Sequence, residues 1–223
     1  MDQQPHPAEH VSGAGGRHVG RVASLTRYPL RSAGGEALDA VAVTPDGLEG
    51  DRVAVLAGPD GRPLRSRDAP GLARLRATLV DGRPRVVDAD GTPLDGADVG
   101  AAAGVAGARA VPSADLAAGP GSDGVAPLHV VSEGAEAGPD AEGCDPFPRA
   151  NVVLALDPAE GPGAERGWTG AGLRVGGEGG ALLRVVRTPK RCLGVYAEVV
   201  VPGRAAVGDD VVLLPAGDTP AAG

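Results

Sequence analysis

Apolar residues in this chain fall in short runs separated by Gly, Pro and Asp, and within many runs they alternate with polar residues. Such alternation is typical of half-buried β-strands. Turn residues at 45–47 and 58–61 separate neighbouring runs and favour hairpins. No helical stripe of useful length interrupts the pattern, although residues 71–76 could form one turn of helix. The pattern predicts antiparallel β structure, as in barrels and sandwiches. We expect strands at 18–25, 37–43, 51–57, 72–80, 84–88, 127–133, 152–156, 173–176, 182–186, 195–201 and 211–214.

Two aperiodic stretches and one linker-like stretch organise the chain. Residues 1–17 are polar and Gly-rich, and residues 216–223 lack any apolar pattern, so we expect both to be disordered tails. Residues 113–124 resemble a linker or long loop. We therefore predict two domains, at 18–112 and 113–215. At the end of the strand 127–133, we expect Ser132 to be the N-cap of a short helix.

Composition narrows the classes of function. Hydrophobic residues make up 42% of the 223 residues, which argues against general disorder despite 37 glycines and 21 prolines. Aromatic residues make up only 2%, so base stacking is not expected as a mode of binding. The net charge of −8 opposes broad contact with nucleic acid or anionic lipid. We therefore expect neither nucleic acid nor a membrane as a partner.

The sequence shows no targeting or membrane signal. Met1 to Arg17 has no basic region followed by an apolar run, as a signal peptide would have. No apolar stretch is long enough to span a bilayer. These features lead us to expect a cytoplasmic protein.

Cys192 is the most conspicuous candidate for chemistry. It follows Lys190 and Arg191, whose positive field favours the thiolate form that binds metals and attacks electrophiles. A free cysteine is more often a small buried hydrophobe, so the local sequence alone leaves both interpretations open. A hydrolytic triad would have to use His129, and no nucleophile-elbow sequence accompanies it. A structural zinc site is not supported either, because it needs more ligands than His129, Cys192 and Cys144 supply.

Three loops carry residues suited to an anionic ligand. Arg31 and Ser32 precede two glycines, so this loop could present a guanidinium, a hydroxyl and backbone N–H groups together. Arg52 follows a Gly-containing turn, and Arg149 and Asn151 lie at the start of a strand. Each arginine taken alone could simply be a surface residue at a strand end. If the three loops meet, they would form a site for a phosphorylated ligand.

Five short motifs occur in an order that resembles the MOSC domain family. Residues 28–32 and 47–52 resemble the N-terminal β-barrel that precedes the MOSC domain, and residues 149–151 resemble its Arg-Pro-Asn motif. Residues 165–176 resemble the next signature. Arg191-Cys192, followed by residues 194–209, resembles the Arg-Cys motif and the end of the domain.

The resemblance implies a mostly β fold, with an N-terminal β-barrel-like domain followed by a MOSC β-barrel and few short helices. It implies binding of the molybdenum cofactor (molybdopterin), with Cys192 as the catalytic residue and metal ligand. The residues implied to hold the phosphate and pterin are Arg31, Ser32, Arg52, Arg149 and Asn151, with Ser132 and Glu133 nearby.

By similarity to amidoxime-reducing relatives, the expected activity is reduction of a small N-hydroxylated or N-oxide substrate by oxygen-atom transfer. No second redox centre is visible in the sequence, so an external protein would supply electrons. Two alternatives stay open. Cys192 could carry a persulfide as a sulfur carrier for metal–sulfur assembly, or the chain could be a non-catalytic cofactor-binding β-barrel.

Overall fold

A computed structural model describes residues 15–116, 126–135, 149–189, 193–217 and 219. Strands form most of its regular structure, as the sequence pattern predicts. The first nine strands are β1 (Arg17–Arg27), β2 (Glu36–Leu38), β3 (Ala40–Thr44), β4 (Gly47–Leu48), β5 (Ala54–Ala57), β6 (Arg76–Val80), β7 (Arg83–Val87), β8 (Pro93–Leu94) and β9 (Arg109–Pro112). The others are β10 (Leu128–Ser132), β11 (Val152–Leu156), β12 (Gly172–Val175), β13 (Ala181–Arg187), β14 (Val195–Val201), β15 (Gly203–Ala206) and β16 (Asp210–Leu214).

Seven strands close into a barrel in the order β11-β10-β14-β13-β12-β16-β1, because β1 pairs with both β16 and β11. β2 extends the sheet beyond β1. The barrel therefore takes one strand from the start of the chain and six from its second half. Closure matters physically, because it leaves no unpaired strand edge within the seven-stranded ring.

One pair of barrel strands is parallel, whereas the sequence pattern predicted antiparallel strands throughout. β10 and β11 run parallel, with Val130 opposite Val152. Parallel neighbours need a crossover of about a dozen residues or more. The chain between Ser132 and Val152 is long enough for such a crossover.

The barrel interior is built from small aliphatic side chains. Val19, Val22 and Leu25 of β1 are almost fully buried, as are Leu128 and Val130 of β10. The buried residues of β1 are three positions apart rather than two, because its register shifts between His18 and Gly20 and between Val22 and Ser24. Trp168 is the one buried tryptophan and packs against this cluster. Val, Leu and Ala thus fill a core that has almost no aromatic residues.

A second core lies beside the barrel. It joins the β5–β9 ribbon, the β6-β7-β8 sheet and the helix α1 (Gly96–Ala102), with Leu30, Leu56, Leu72 and Val99 at its centre. A small sheet of β15, β3 and β4 connects residues from the two halves of the sequence. The domain division at residue 112/113 remains a prediction, although β1 lies in the barrel with strands from beyond that point.

Local structure differs from the sequence expectations at several points. Residues 70–74 form a 3-10 turn, so β6 begins at Arg76 rather than at residue 72. β5 begins at Ala54 because Arg52 has a positive φ of 49°, which does not fit a strand. Both α1 and β9 are additional elements. α1 has no apolar stripe. It packs closely against Ala108 because residue 100 is glycine; a β-carbon there would lie 2.0 Å from the Ala108 carbonyl oxygen.

Ser132 is not a helix N-cap. It is the last residue of β10, and the chain turns at residues 133–134 without a helix. The tail predicted for 1–17 ends earlier, since β1 begins at Arg17; residues 1–14 lie outside the described part of the chain. In the segments that the structure does describe, no helix has the length and apolar character needed to cross a bilayer.

Gly20 lies where β1 faces both of its barrel neighbours. It pairs with Leu156 of β11 and Val211 of β16, and its φ is 145°. A β-carbon there would lie 2.2 Å from the Ala155 carbonyl oxygen. We expect Gly20→Ala to lower the free energy of unfolding by about 3 kcal/mol or more, because backbone atoms of β11 must move.

The matched control for Gly20→Ala is Gly91→Ala, a turn glycine with a φ of 83° and no atom within 4 Å of the added carbon. It should cost only about 1 kcal/mol, from backbone strain alone. Urea unfolding of both variants measures the difference. Equal losses would contradict the role of Gly20 in barrel closure.

His18 of β1 bridges two carboxylates, one just after β11 and one at the start of β16. Its Nδ1 lies 2.9 Å from Asp157 Oδ2 and its Nε2 lies 3.3 Å from Asp210 Oδ1. The hydrogen bond with Asp157 chiefly raises the pKa of His18. Its stabilising contribution is therefore complete below the ordinary histidine pKa of about 6.5 and is lost as pH rises through the raised value. The difference in unfolding free energy between the wild type and His18→Gln should be larger at about pH 5.5 than at about pH 8.5. The same difference at both pH values would exclude this bridge.

Candidate functional site

The loop after β1 meets the loop before β5 through backbone contacts. Tyr28 donates its N–H to Asp51 Oδ1 at 2.8 Å, and Arg52 donates its N–H to the Tyr28 carbonyl at 2.8 Å. Arg31 donates its N–H to the Ala54 carbonyl at 2.9 Å. The first two motifs singled out in the sequence are therefore joined side by side.

Backbone strain is concentrated in these two loops. Among the described residues, three that are not glycine have a positive φ: Ser32, Arg52 and Asp81. Asp81 is in an exposed hairpin turn, where this conformation is common. Ser32 (70°) and Arg52 (49°) are in the candidate site. Such strain persists only where the surrounding structure fixes the backbone, and it is frequent at ligand sites.

Asp51 and Arg52 form a largely buried ion pair. Arg52 Nε lies 2.6 Å from Asp51 Oδ2, and Arg52 Nη2 donates to the Pro127 carbonyl just before β10. Burial raises the pKa of the Asp51 carboxyl, while the positive charge of Arg52 acts in the opposite direction. The pair ties the N-terminal loops to the second half of the chain.

Asn151 is the hub of the polar network. Its Oδ1 accepts from the His129 N–H at 3.1 Å, and its Nδ2 donates to the Thr26 carbonyl at 3.3 Å. Its side chain also hydrogen-bonds to Asp51, and its backbone bonds with both His129 and Thr26. The amide therefore connects β1, β10 and the start of β11. Because its hydrogen-bonding capacity is largely used within the chain, its main effect is to position its neighbours.

Arg149 joins the third loop to the first. Its Nη1 donates to the Ser32 carbonyl at 2.6 Å, and the Tyr28 hydroxyl donates to the adjacent Ala150 carbonyl at 3.1 Å. The structure thus brings together the loops that carry five of the residues singled out from the sequence. These are Arg31, Ser32, Arg52, Arg149 and Asn151.

Ser132 and Glu133 do not join this group. Side chains alternate along β10, so Ser132 lies on the opposite face from His129. The Ser132 N–H donates to Glu165 Oε1 at 3.2 Å, and its Oγ accepts from the Gly163 N–H at 2.7 Å. Glu133 is exposed, and its N–H donates to the Leu154 carbonyl. Both hydrogen bonds of Ser132 therefore stabilise the loop around Glu165.

Cys192, with Lys190 and Arg191, lies outside the described residues, as does Cys144. The next residue along, Leu193, is described. Its carbonyl accepts a hydrogen bond from His129 Nε2 at 2.7 Å, which fixes the proton of a neutral ring on Nε2. The segment that leaves Cys192 is thus anchored to the same network.

His129 is a site residue that the sequence suggested only as a member of a hydrolytic triad or as a zinc ligand, neither of which it supported. Its ring lies 5.1 Å from the Tyr196 ring, and the Arg187 guanidinium lies 5.0 Å from the centre of Tyr196. Burial lowers the pKa of His129, although its backbone contacts with Leu193 and Arg149 oppose that shift. The only sequence signal for this group is that Arg187 and Tyr196 flank Cys192.

A groove of about 450 Å³ opens beside the ion pair, and its walls include Leu48, Glu49, Asp51, Arg52 and Ser113. It gives a ligand access to the Arg52 side of the network. Among the described residues, no three His, Cys, Asp or Glu side chains cluster as metal ligands. At this groove the Arg52 guanidinium can reach an anionic ligand.

Comparisons with known proteins give one family. The model of the MOSC N-terminal beta barrel domain matches residues 19–113. Among solved structures, the chain is similar to the YuaD protein from Bacillus subtilis, with 13% identity and a TM-score of 0.41 over 89% of this chain and 97% of that one. No curated protein sequence matches the chain.

The pKa of His129 predicts a pH dependence opposite in sign to that of His18. Because burial lowers this pKa, the folded state binds fewer protons than the unfolded state below the ordinary value of about 6.5. The wild type should therefore lose its stability advantage over His129→Gln as pH falls from about 7.5 to about 5. Urea unfolding at both pH values measures this. A growing advantage at low pH would contradict a buried neutral His129.

Proposed function

The chain is a MOSC domain protein, and on that premise we propose that it binds the molybdenum cofactor (molybdopterin) at the joined loops and ligates molybdenum with Cys192. The family is generally associated with this cofactor. The observation that carries the proposal is the contact of Arg149 with the Ser32 carbonyl, which joins two motifs that are far apart in the sequence.

The described residues fit the phosphate end of such a ligand. Arg52 and Arg149 bring two guanidinium groups to loops that also carry the Ser32 hydroxyl. A guanidinium has five N–H donors, and the described contacts of Arg52 use only two of its nitrogens, so it retains donors for a phosphate. Asp51 neutralises part of this charge while holding Arg52 in place.

The metal end depends on a single soft ligand. No metal-binding cluster occurs among the described residues, but a metal that arrives bound to the sulfur of a cofactor needs few protein ligands. A thiolate at Cys192 would be suitable, and His129 would fix the segment that follows it through the Leu193 carbonyl. When bound, the molybdenum would supply two-electron oxygen-atom transfer to an N-hydroxylated or N-oxide substrate, with electrons from a partner protein.

Metal analysis with pterin fluorescence tests the proposal, on protein expressed in a host that makes the cofactor. We expect near-stoichiometric molybdenum in the wild type and in the control Cys144→Ser, and its loss in Cys192→Ser with the fold intact. Full retention in Cys192→Ser would exclude the thiolate ligand. Absence from the wild type, with a sulfane-sulfur adduct on Cys192, would favour the sulfur carrier instead.

Arg149→Ala tests the phosphate end. Losing a charge-assisted hydrogen bond worth roughly 1.5–3 kcal/mol should weaken cofactor retention by about tenfold to a hundredfold. The control is Arg174→Ala, an exposed arginine of β12 outside the site. Cofactor content after dialysis measures the effect, and thermal unfolding checks the fold. Equal retention in the two variants would remove Arg149 from the site.

A further inference from the structure

The outward face of the β6–β7 hairpin carries three arginines. The register places Arg76 opposite Val87, Thr78 opposite Arg85 and Val80 opposite Arg83. Alternation puts these six side chains on one face, while Ala77 and Val86 point into the second core. We call this set of six residues the cationic face.

The three arginines have no carboxylate partner among the described residues, whereas Arg62 and Arg67 on nearby loops each face an aspartate. Arg85 lies diagonally from Arg76 and two positions from Arg83, so the Cβ separation within each of these two pairs is about 7–8 Å. Such spacing avoids direct opposition of like charges but leaves them uncompensated. An anionic partner would remove that repulsion.

The nearest carboxylates are engaged or lie at the margin. Glu36, at the edge of β6, accepts from the Leu79 N–H and pairs with Arg27. Asp88 accepts from backbone N–H groups of its own turn, and Asp81 lies in the turn between the two strands. None of the six positions of the cationic face is acidic.

From this arrangement we propose that the cationic face docks a carboxylate-rich surface of a second protein. The chain as a whole has a net charge of −8, which opposes broad electrostatic contact with an anion, whereas the three arginines offer carboxylates one local contact. Val80, 46% exposed, and Val87 supply apolar contact between the arginines. Arginine around a small apolar centre is typical of protein interfaces.

The cationic face adjoins the candidate site. Gly34 forms a bridge with Arg76, and its carbonyl accepts from the Ala77 N–H at 2.9 Å. Gly34 is two residues beyond Ser32, whose carbonyl binds Arg149. A partner docked there would contact the hairpin next to the strained first loop. The proposal does not require that the site bind a particular cofactor.

The test uses fluorescein-labelled poly-L-glutamate as the probe and fluorescence anisotropy at about 20 mM salt, where exposed charges are weakly screened. We expect the wild type to bind, and the triple variant Arg76→Gln, Arg83→Gln, Arg85→Gln to bind roughly tenfold more weakly. The control triple variant is Arg109→Gln, Arg174→Gln, Arg204→Gln. It makes the same change of charge at exposed arginines of β9, β12 and β15 that have no carboxylate partner among the described residues. It should retain binding within about twofold.

Three outcomes would overturn the proposal. Equal weakening in the two triple variants would mean that overall charge, not this face, governs binding. Tighter binding of a labelled DNA duplex or of phosphatidylserine vesicles than of poly-L-glutamate would assign the face to another class of partner. Failure of the wild type to bind poly-L-glutamate would leave the face without an acidic partner.

Discussion

The structure depends on one buried hydrogen-bonded junction, at which the Asn151 side chain meets His129, Thr26 and Asp51. Thr26 and His129 belong to barrel strands and Asn151 directly precedes β11, whereas Asp51 belongs to the loop before β5. A buried polar group that loses its partner costs about 1–3 kcal/mol, so the four residues must be placed together. This requirement brings the second and third arginine-bearing loops, those of Arg52 and Arg149, to the same point.

The same junction explains why some residues of the candidate site position their neighbours and others are left to contact a ligand. Asp51 and Asn151 use most of their hydrogen-bonding capacity inside the chain and so hold their neighbours in position. Arg52 is held by Asp51 and keeps donors for a ligand beside an open groove. The positive φ of Ser32 and Arg52 is tolerated because hydrogen bonds fix both loops on either side.

The strands and the family could be predicted from the sequence, because strand alternation is a local pattern and the motifs occur in a fixed order. Alternation located the strands of the barrel, and the family match over residues 19–113 confirms the resemblance drawn from the two N-terminal motifs. Features that depend on tertiary contacts could not be predicted in this way. The hydrogen bonds of Ser132 with Gly163 and Glu165 are visible only after folding, and α1 is held by close packing of Gly100. His129 was not assigned to the candidate site, because nothing in its own strand reveals that it faces Tyr196 and Leu193.

Coupling between Asp51 and Asn151 is the most direct measure of the junction. A double-mutant cycle of Asp51→Ala and Asn151→Ala, followed by urea unfolding, isolates their interaction from the loss of each side chain alone. We expect the two losses of unfolding free energy not to be additive, with a coupling of about 1 kcal/mol or more. Additive losses would mean that the two residues act independently, and the joined site would lose its physical basis.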